Sequence, residues 1–99
     1  MRRKIKHFFQ RITRGWDDSE TWSLYSTTAK FMIPRLKRFK ELKGCHPFGI
    51  SENEWDNILD EIIWFLDIQA EFKIIEKEDY ERYEKANELF GKYFLDLWW

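Results

Sequence analysis

Apolar residues recur at helical spacing along most of the chain, and this periodicity restricts the fold more than any other feature. The widest apolar stripe lies between Trp55 and Phe72. Because it is wide, we expect the helix that carries it to be central and covered on two sides. The alternation of apolar and polar residues that is typical of strands does not occur. The pattern predicts an all-α fold, a compact bundle of about four helices.

The first predicted helix covers residues 3–13 and is strongly amphipathic. Its apolar residues share one face, and most of its cations lie on the opposite face. The apolar residues are Ile5, Phe8, Phe9 and Ile12, and the cations are Arg3, Lys4, Lys6 and Arg11. Gly15 suits the end of this helix because glycine tolerates a left-handed backbone.

The second predicted helix runs from about residue 19 to residue 43, with Asp18 or Ser19 as its cap. Pro34 lies inside it. Proline lacks a backbone N–H and clashes with the preceding turn, so we expect the helix to be kinked or broken there.

Two further helices are predicted in the second half of the chain. Ser51 and Glu54 have the spacing of a capping box, which starts the third helix. Asp79 is placed to cap a fourth helix. One continuous helix over residues 52–97 is the alternative. The length predicts a single helical domain over residues 1–99.

The chain is unusually rich in large aromatic side chains, with six Trp, four Tyr and nine Phe among its 99 residues. Each buried aromatic removes about 150–250 Å² of surface from water, and one small core hides few of them. We therefore expect some rings to lie in a subunit interface of a homo-oligomer or in a ligand site. Trp98 and Trp99 end the chain, and at least one of them is expected to dock on its own bundle or on another subunit.

Charge is divided between the two halves of the chain. Residues 1–50 contain 12 Lys/Arg and 4 Asp/Glu, a net charge of +8, whereas residues 51–99 contain 5 and 14, a net charge of −9. The halves can neutralise each other by packing together. The basic half can instead bind an anion such as a nucleotide or nucleic acid, or lie on a membrane surface.

A mixture of arginine and aromatic residues marks the candidate ligand site. Bases stack on aromatic rings, and arginine binds phosphates in a bidentate manner. The candidate ligand-binding residues are Arg14, Trp16, Trp22, Lys30, Arg35 and Arg38. The alternative is that the two tryptophans are core residues and that the cations are solvated or paired with the acidic half.

No catalytic or metal-binding site is predicted, and neither is a cofactor. Cys45 and His46 are adjacent, but a structural zinc site needs about four ligands and the remaining histidine, His7, lies on another helix. The usual nucleotide-binding and hydrolase motifs are missing. A single cysteine and a basic N-terminus without an apolar signal core favour a cytoplasmic protein that does not use a membrane.

Several segments of the chain form a recognisable set: Arg-Gly-Trp-Asp-Asp at 14–18, Thr-Trp-Ser-Leu at 21–24, Ala-Lys-Phe-Met-Ile-Pro-Arg-Leu-Lys-Arg-Phe-Lys at 29–40, Trp55 with Leu59, and Leu-Phe-Gly-Lys-Tyr-Phe-Leu-Asp-Leu-Trp at 89–98. Together they resemble a family of small phage and prophage proteins. The resemblance implies a phage-encoded accessory protein that acts in a bacterial host cytoplasm. It implies no activity and no catalytic residue.

Two non-enzymatic functions suit such a protein. The first is an anti-defence role, in which the aromatic and arginine residues bind and sequester a nucleotide immune signal. The alternative is a protein-binding module that inhibits or redirects a host protein, or a small oligomeric phage assembly factor. Nucleic-acid binding is less favoured.

Overall fold

The structure is a computed structural model that describes residues 2–98. Four α-helices follow one another along the chain: α1 (Arg2–Arg14), α2 (Leu24–Leu42), α3 (Glu52–Glu71) and α4 (Tyr80–Tyr93). Short 3₁₀ turns lie at Asp18–Thr21, Lys77–Asp79 and Phe94–Asp96. Within the described residues there is no strand, so the predicted all-α fold with four helices is confirmed.

Helix α3 lies at the centre of the bundle, between α2 and α4. Its apolar stripe supplies the two largest side chains that are completely buried, Leu59 and Ile62. Ala29 of α2 and Ala86 of α4 are also buried against this core, and their small side chains let the helices approach closely. The prediction of a central third helix is confirmed.

The ends of α3 follow from local backbone chemistry. Ser51 Oγ accepts a hydrogen bond from the backbone N–H of Glu54 at 3.1 Å, as the capping box predicts. Phe72 ends the helix in a left-handed conformation with φ of 53°. Helix α4 begins only at Tyr80, so the alternative of one helix over residues 52–97 is wrong. Asp79 does precede α4, but its side chain makes no cap hydrogen bond.

The segment between α1 and α2 differs from the prediction. The residues after Gly15 form a 3₁₀ turn whose cap is Asp17, rather than Asp18 or Ser19. Because this turn occupies Asp18–Thr21, α2 begins at Leu24 and not near residue 19. Helix α2 then continues without interruption through Pro34, so the predicted break is wrong, while a kink there stays a prediction.

The charge division is neutralised in part where α2 and α3 pack together. Lys40 Nζ lies 2.7 Å from an oxygen of Asp60, and this hydrogen bond raises the pKa of Lys40. Lys43, just after α2, lies 3.3 Å from Glu52 at the start of α3. Cations of the first half and anions of the second half therefore pair across this interface. Lys40 and Lys43 thus have carboxylate partners within the chain.

Helix α1 lies outside this bundle. It contributes no buried residue, and among the helices and turns of residues 2–98 it packs only against the Asp18–Thr21 turn. The radius of gyration is 16.3 Å. A packed chain of this length has a value of about 13 Å. The molecule measures 52 × 36 × 18 Å, an elongated shape for so short a chain.

Candidate functional site

Helix α1 is attached to the rest of the chain by its polar face. His7 and Gln10 are its two partly buried residues among those that the structure describes, and both lie opposite the apolar stripe. Amphipathic helices of water-soluble domains normally turn the apolar face inward. In this protein the orientation is reversed, and the apolar side chains of α1 face solvent.

The attachment is a set of polar contacts to Asp18. Gln10 Nε2 donates to the Asp18 carboxylate at 2.9 Å, and the backbone N–H of Asp18 donates to Gln10 Oε1 at 2.8 Å. Arg14 Nη2 donates to the same carboxylate at 2.7 Å, and Lys6 Nζ lies 3.2 Å from it. The bond from Gln10, together with these two cations, holds the pKa of Asp18 well below its ordinary range.

Asp17 is the buried member of the attachment, with 3% of its surface exposed. Its carboxylate accepts hydrogen bonds from the Ser19 hydroxyl, from the Ser19 backbone N–H and from Arg11 of α1. The Ser19 hydroxyl contributes most to lowering the pKa of Asp17. Glu20 accepts from the Asp17 backbone N–H at 2.7 Å, which completes a capping box. The turn thus presents two ionised carboxylates to the basic face of α1.

The outward stripe consists of the four apolar side chains of α1, which are between 53% and 64% exposed: Ile5, Phe8, Phe9 and Ile12. Within the stripe, Phe8 and Phe9 meet edge to face with ring centroids 5.8 Å apart. The positions correspond to i, i+3, i+4 and i+7, the spacing of helices that insert one face into an apolar groove of a partner. The stripe is therefore a contiguous apolar surface that its own chain leaves exposed.

Three of the predicted ligand-binding residues lie near α1. Arg14 Cζ lies 3.7 Å from the centroid of the Trp16 ring, and Arg14 Nε also donates to the Trp16 carbonyl at 3.0 Å. Trp22 is exposed and lies between His7 and Arg3, whose Cζ is 5.4 Å from its ring. Arg14 is thus occupied by Trp16 and Asp18, and Trp22 contacts a different part of α1.

The other three predicted residues lie along α2. Lys30 lines a shallow depression with Phe31 and Ser19. Arg35 stacks on Phe31 with Cζ 3.7 Å from the ring centroid, and it donates to the Phe31 carbonyl. Arg38 pairs with Glu41 one turn further along. Of the six candidates, the structure brings Arg14 and Trp16 into contact, while the other four lie at separate positions and none of the described depressions gathers all six.

The largest departure from the prediction concerns Asp17, Asp18 and Gln10, which sequence reasoning missed as functional residues. A signal for them existed, because two aspartates lie within four residues of the end of a helix whose sequence contains six Lys/Arg and no Asp/Glu. Such a pair is suited to attract the basic face of that helix. Attraction of the basic face turns the apolar face outward, which the apolar spacing by itself does not indicate.

The chemistry of the remaining polar groups is limited. Among residues 2–98, no three His, Cys, Asp or Glu side chains are grouped so that they could hold a metal ion. Cys45 is a free, exposed thiol. Within the same residues, none of the helices combines the length and the apolarity that crossing a bilayer requires. Trp98 is exposed, and Trp99 lies outside the described residues.

Comparison of the chain with protein-family models, with curated proteins and with solved structures finds no match. The function of the chain is therefore inferred from the geometry of α1 and of the bundle.

Proposed function

We propose that this protein is a non-enzymatic binding module that uses α1 to insert an apolar stripe into a groove of a partner protein. The observation that carries the proposal is the reversed orientation of α1: its polar face is fixed to Asp17 and Asp18, and its stripe faces away from the bundle. A helix attached in this way lies on one side of the molecule with its apolar side chains in solvent. These side chains contribute hydrophobic stabilisation only when a partner covers them.

Energetics support a binding role for the stripe. Full burial of a large apolar side chain contributes about 1.5–3 kcal/mol, and each of the four stripe side chains, which are between 53% and 64% exposed, can still gain roughly half of it. The four also have helix-in-groove spacing. Because polar contacts fix α1 before binding, less conformational entropy is lost when the stripe is covered. Arg2 and Lys4, which border the stripe in a helix of 3.6 residues per turn, favour a groove with an acidic rim.

Sequestration of a nucleotide, the other predicted function, has less support. Stacking of a base and binding of its phosphates require an open aromatic ring and free arginines in one place. Trp16 is already covered by Arg14, and Arg35 and Arg38 have partners along α2. Phage origin and an anti-defence role stay predictions, and a protein-binding module agrees with either.

Photo-crosslinking tests the proposal because it captures whichever protein contacts the stripe. A photoreactive phenylalanine analogue replaces Phe8 in the stripe, or Phe48 as a matched control, because Phe48 is fully exposed in the loop between α2 and α3. In expressing bacterial cells, we expect protein adducts from position 8 and few from position 48. Equal adduct yields from the two positions would contradict the proposal.

A further inference from the structure

Resting on the proposed function, we infer that the groove that receives α1 belongs to a second copy of this chain. The receiving surface is the acidic patch, defined as residues 71–81, from the last residue of α3 to the first turn of α4. It combines exposed apolar side chains with an excess of carboxylates, which is the complement of α1. Each copy supplies one stripe and one acidic patch, so a two-fold dimer satisfies both.

The charges of the two surfaces are complementary. Helix α1 contains six Lys/Arg and no Asp/Glu. The acidic patch contains Glu71, Glu76, Glu78, Asp79 and Glu81, against Lys73 and Lys77. Within residues 2–98, none of these five carboxylates forms an ion pair within 4 Å, and the same holds for Arg2 and Lys4. In a helix of 3.6 residues per turn these two cations border the stripe, whereas Arg3 is turned towards Trp22. Unpaired cations and unpaired anions thus remain at the edges of the two surfaces that are to meet.

The apolar side chains of the acidic patch are also left uncovered. Ile74 is 91% exposed, and Phe72 and Tyr80 are more than half exposed. Phe72 adopts a left-handed backbone, which is unfavourable for a bulky side chain, and its ring makes an edge-to-face contact with Tyr25 at 5.7 Å. An aromatic ring held in this conformation at the surface offers a contact for another molecule.

Both surfaces lie beside the first turns of α2. Helix α1 reaches this region through Trp22, which contacts His7. The acidic patch reaches it through Tyr25, and Ser26 Oγ donates to the Ala70 carbonyl at 3.1 Å. In the proposed dimer the two-fold axis lies near the start of α2, so that each stripe meets the acidic patch of the other copy.

The surface area that the stripes and the acidic patches would bury is adequate for a stable dimer. Each stripe side chain is about half exposed, so it offers roughly 100 Å², and one stripe offers roughly 400 Å². Two stripes and two receiving surfaces together approach the roughly 1,600 Å² of a standard interface. Direct pairing of α1 with α1 of the second copy is disfavoured, because it brings two helices without carboxylates together.

The first experiment measures mass by light scattering across a dilution series, at low and high salt. We expect a dimer that dissociates on dilution and whose dissociation constant rises with salt. The charge-reversed variants Arg2→Glu/Lys4→Glu and Glu76→Lys/Glu78→Lys are each expected to weaken the dimer by about tenfold or more, and a mixture of the two to restore it. A monomer at every concentration overturns the inference, and so does a dimer that neither variant weakens.

The second experiment identifies the contact by disulfide trapping. Cys45 is first replaced by Ser, and Ile5→Cys or Ile12→Cys is then mixed with Ile74→Cys under mild oxidation. We expect disulfides between the two different variants, and Phe48→Cys mixed with Ile74→Cys serves as the control. Disulfides only between identical α1 variants overturn the inference. In a separate measurement with anionic phospholipid vesicles, binding of the monomer through α1 also overturns it.

The outcomes separate the two proposals. One outcome is a monomer for which photo-crosslinking at position 8 still yields adducts with other proteins. In that case the assignment of the groove to a second copy is wrong, and the proposed binding function stands. If position 8 yields no adducts above the Phe48 control, both proposals fail.

Discussion

Gln10 and Asp18 form a reciprocal pair: the Gln10 amide donates to the Asp18 carboxylate at 2.9 Å, and the Asp18 backbone N–H donates to Gln10 Oε1 at 2.8 Å. The pair fixes the side of α1 that faces the protein and hence the side that faces outward. A glutamine in the polar face of a helix thus determines which way four apolar side chains point.

Loss of the Gln10 side chain is expected to loosen α1 and leave the bundle unchanged. Gln10→Ala removes both hydrogen bonds to Asp18, while the core is formed by α2, α3 and α4. We expect amide hydrogen exchange of α1 to accelerate about tenfold or more, with little change in α3. Thr13→Ala is the control, because the Thr13 hydroxyl bonds only to carbonyls of its own helix. Unchanged exchange in Gln10→Ala would show that α1 is held by something else.

The attachment is expected to fail in acid. The pKa values of Asp17 and Asp18 lie below the ordinary value of 3.8, so both groups stabilise the folded state above that pH. This stabilisation is lost as pH falls through the lowered pKa values. We expect the NMR signals of the Gln10 side-chain amide to shift at a pH below 3.8, and the shift to disappear in Asp18→Asn. A midpoint at or above 3.8 would be inconsistent with the lowered pKa of Asp18.

The core and the outward stripe are expected to differ in their contribution to stability. Leu59 is 1% exposed at the centre of the bundle, so Leu59→Ala should lower the free energy of unfolding by about 2–5 kcal/mol. Ile5 is on the outward stripe, and Ile5→Ala should change the free energy of unfolding by less than about 0.5 kcal/mol in dilute protein. Urea denaturation measures both values. A large loss in Ile5→Ala would indicate that the stripe packs within its own chain.

Pro34 is expected to destabilise the helix that contains it. Pro34 is exposed inside the continuous helix α2, and proline in a helix interior costs about 3 kcal/mol relative to alanine. Pro34→Ala restores an N–H that can bond to the Lys30 carbonyl, so we expect the free energy of unfolding to rise by about 1–3 kcal/mol. Pro47→Ala, in the loop before α3, should produce no rise, and a Pro34→Ala protein no more stable than the parent would contradict the prediction.

Much of the fold follows from local sequence patterns. Ser51 and Glu54 start α3 where the capping box predicts, and the wide stripe of α3 is covered on two sides. Gly15 adopts the left-handed conformation expected after α1, with φ of 84°. These features depend on residues a few positions apart, whose interactions can be read from spacing alone.

The orientation of α1 and the candidate site depend on contacts between elements. The spacing of Ile5 and Phe9 predicts an amphipathic helix, but it contains no information on whether the bundle or the solvent receives the apolar face. That choice depends on Asp17 and Asp18, whose carboxylates accept hydrogen bonds from the polar face of α1. Trp22 illustrates the same limit, because its spacing suits a core position and yet it is exposed beside α1.

The central claim is that another protein molecule covers the outward stripe, and thiol alkylation in living cells tests it most directly. In a Cys45→Ser background, Ile12→Cys reports on the stripe and Phe48→Cys on an exposed loop. We predict that a membrane-permeable maleimide labels Ile12→Cys about tenfold or more slowly than Phe48→Cys, and that the difference disappears when the cells are denatured. Equal labelling rates at the two positions in intact cells would contradict the claim.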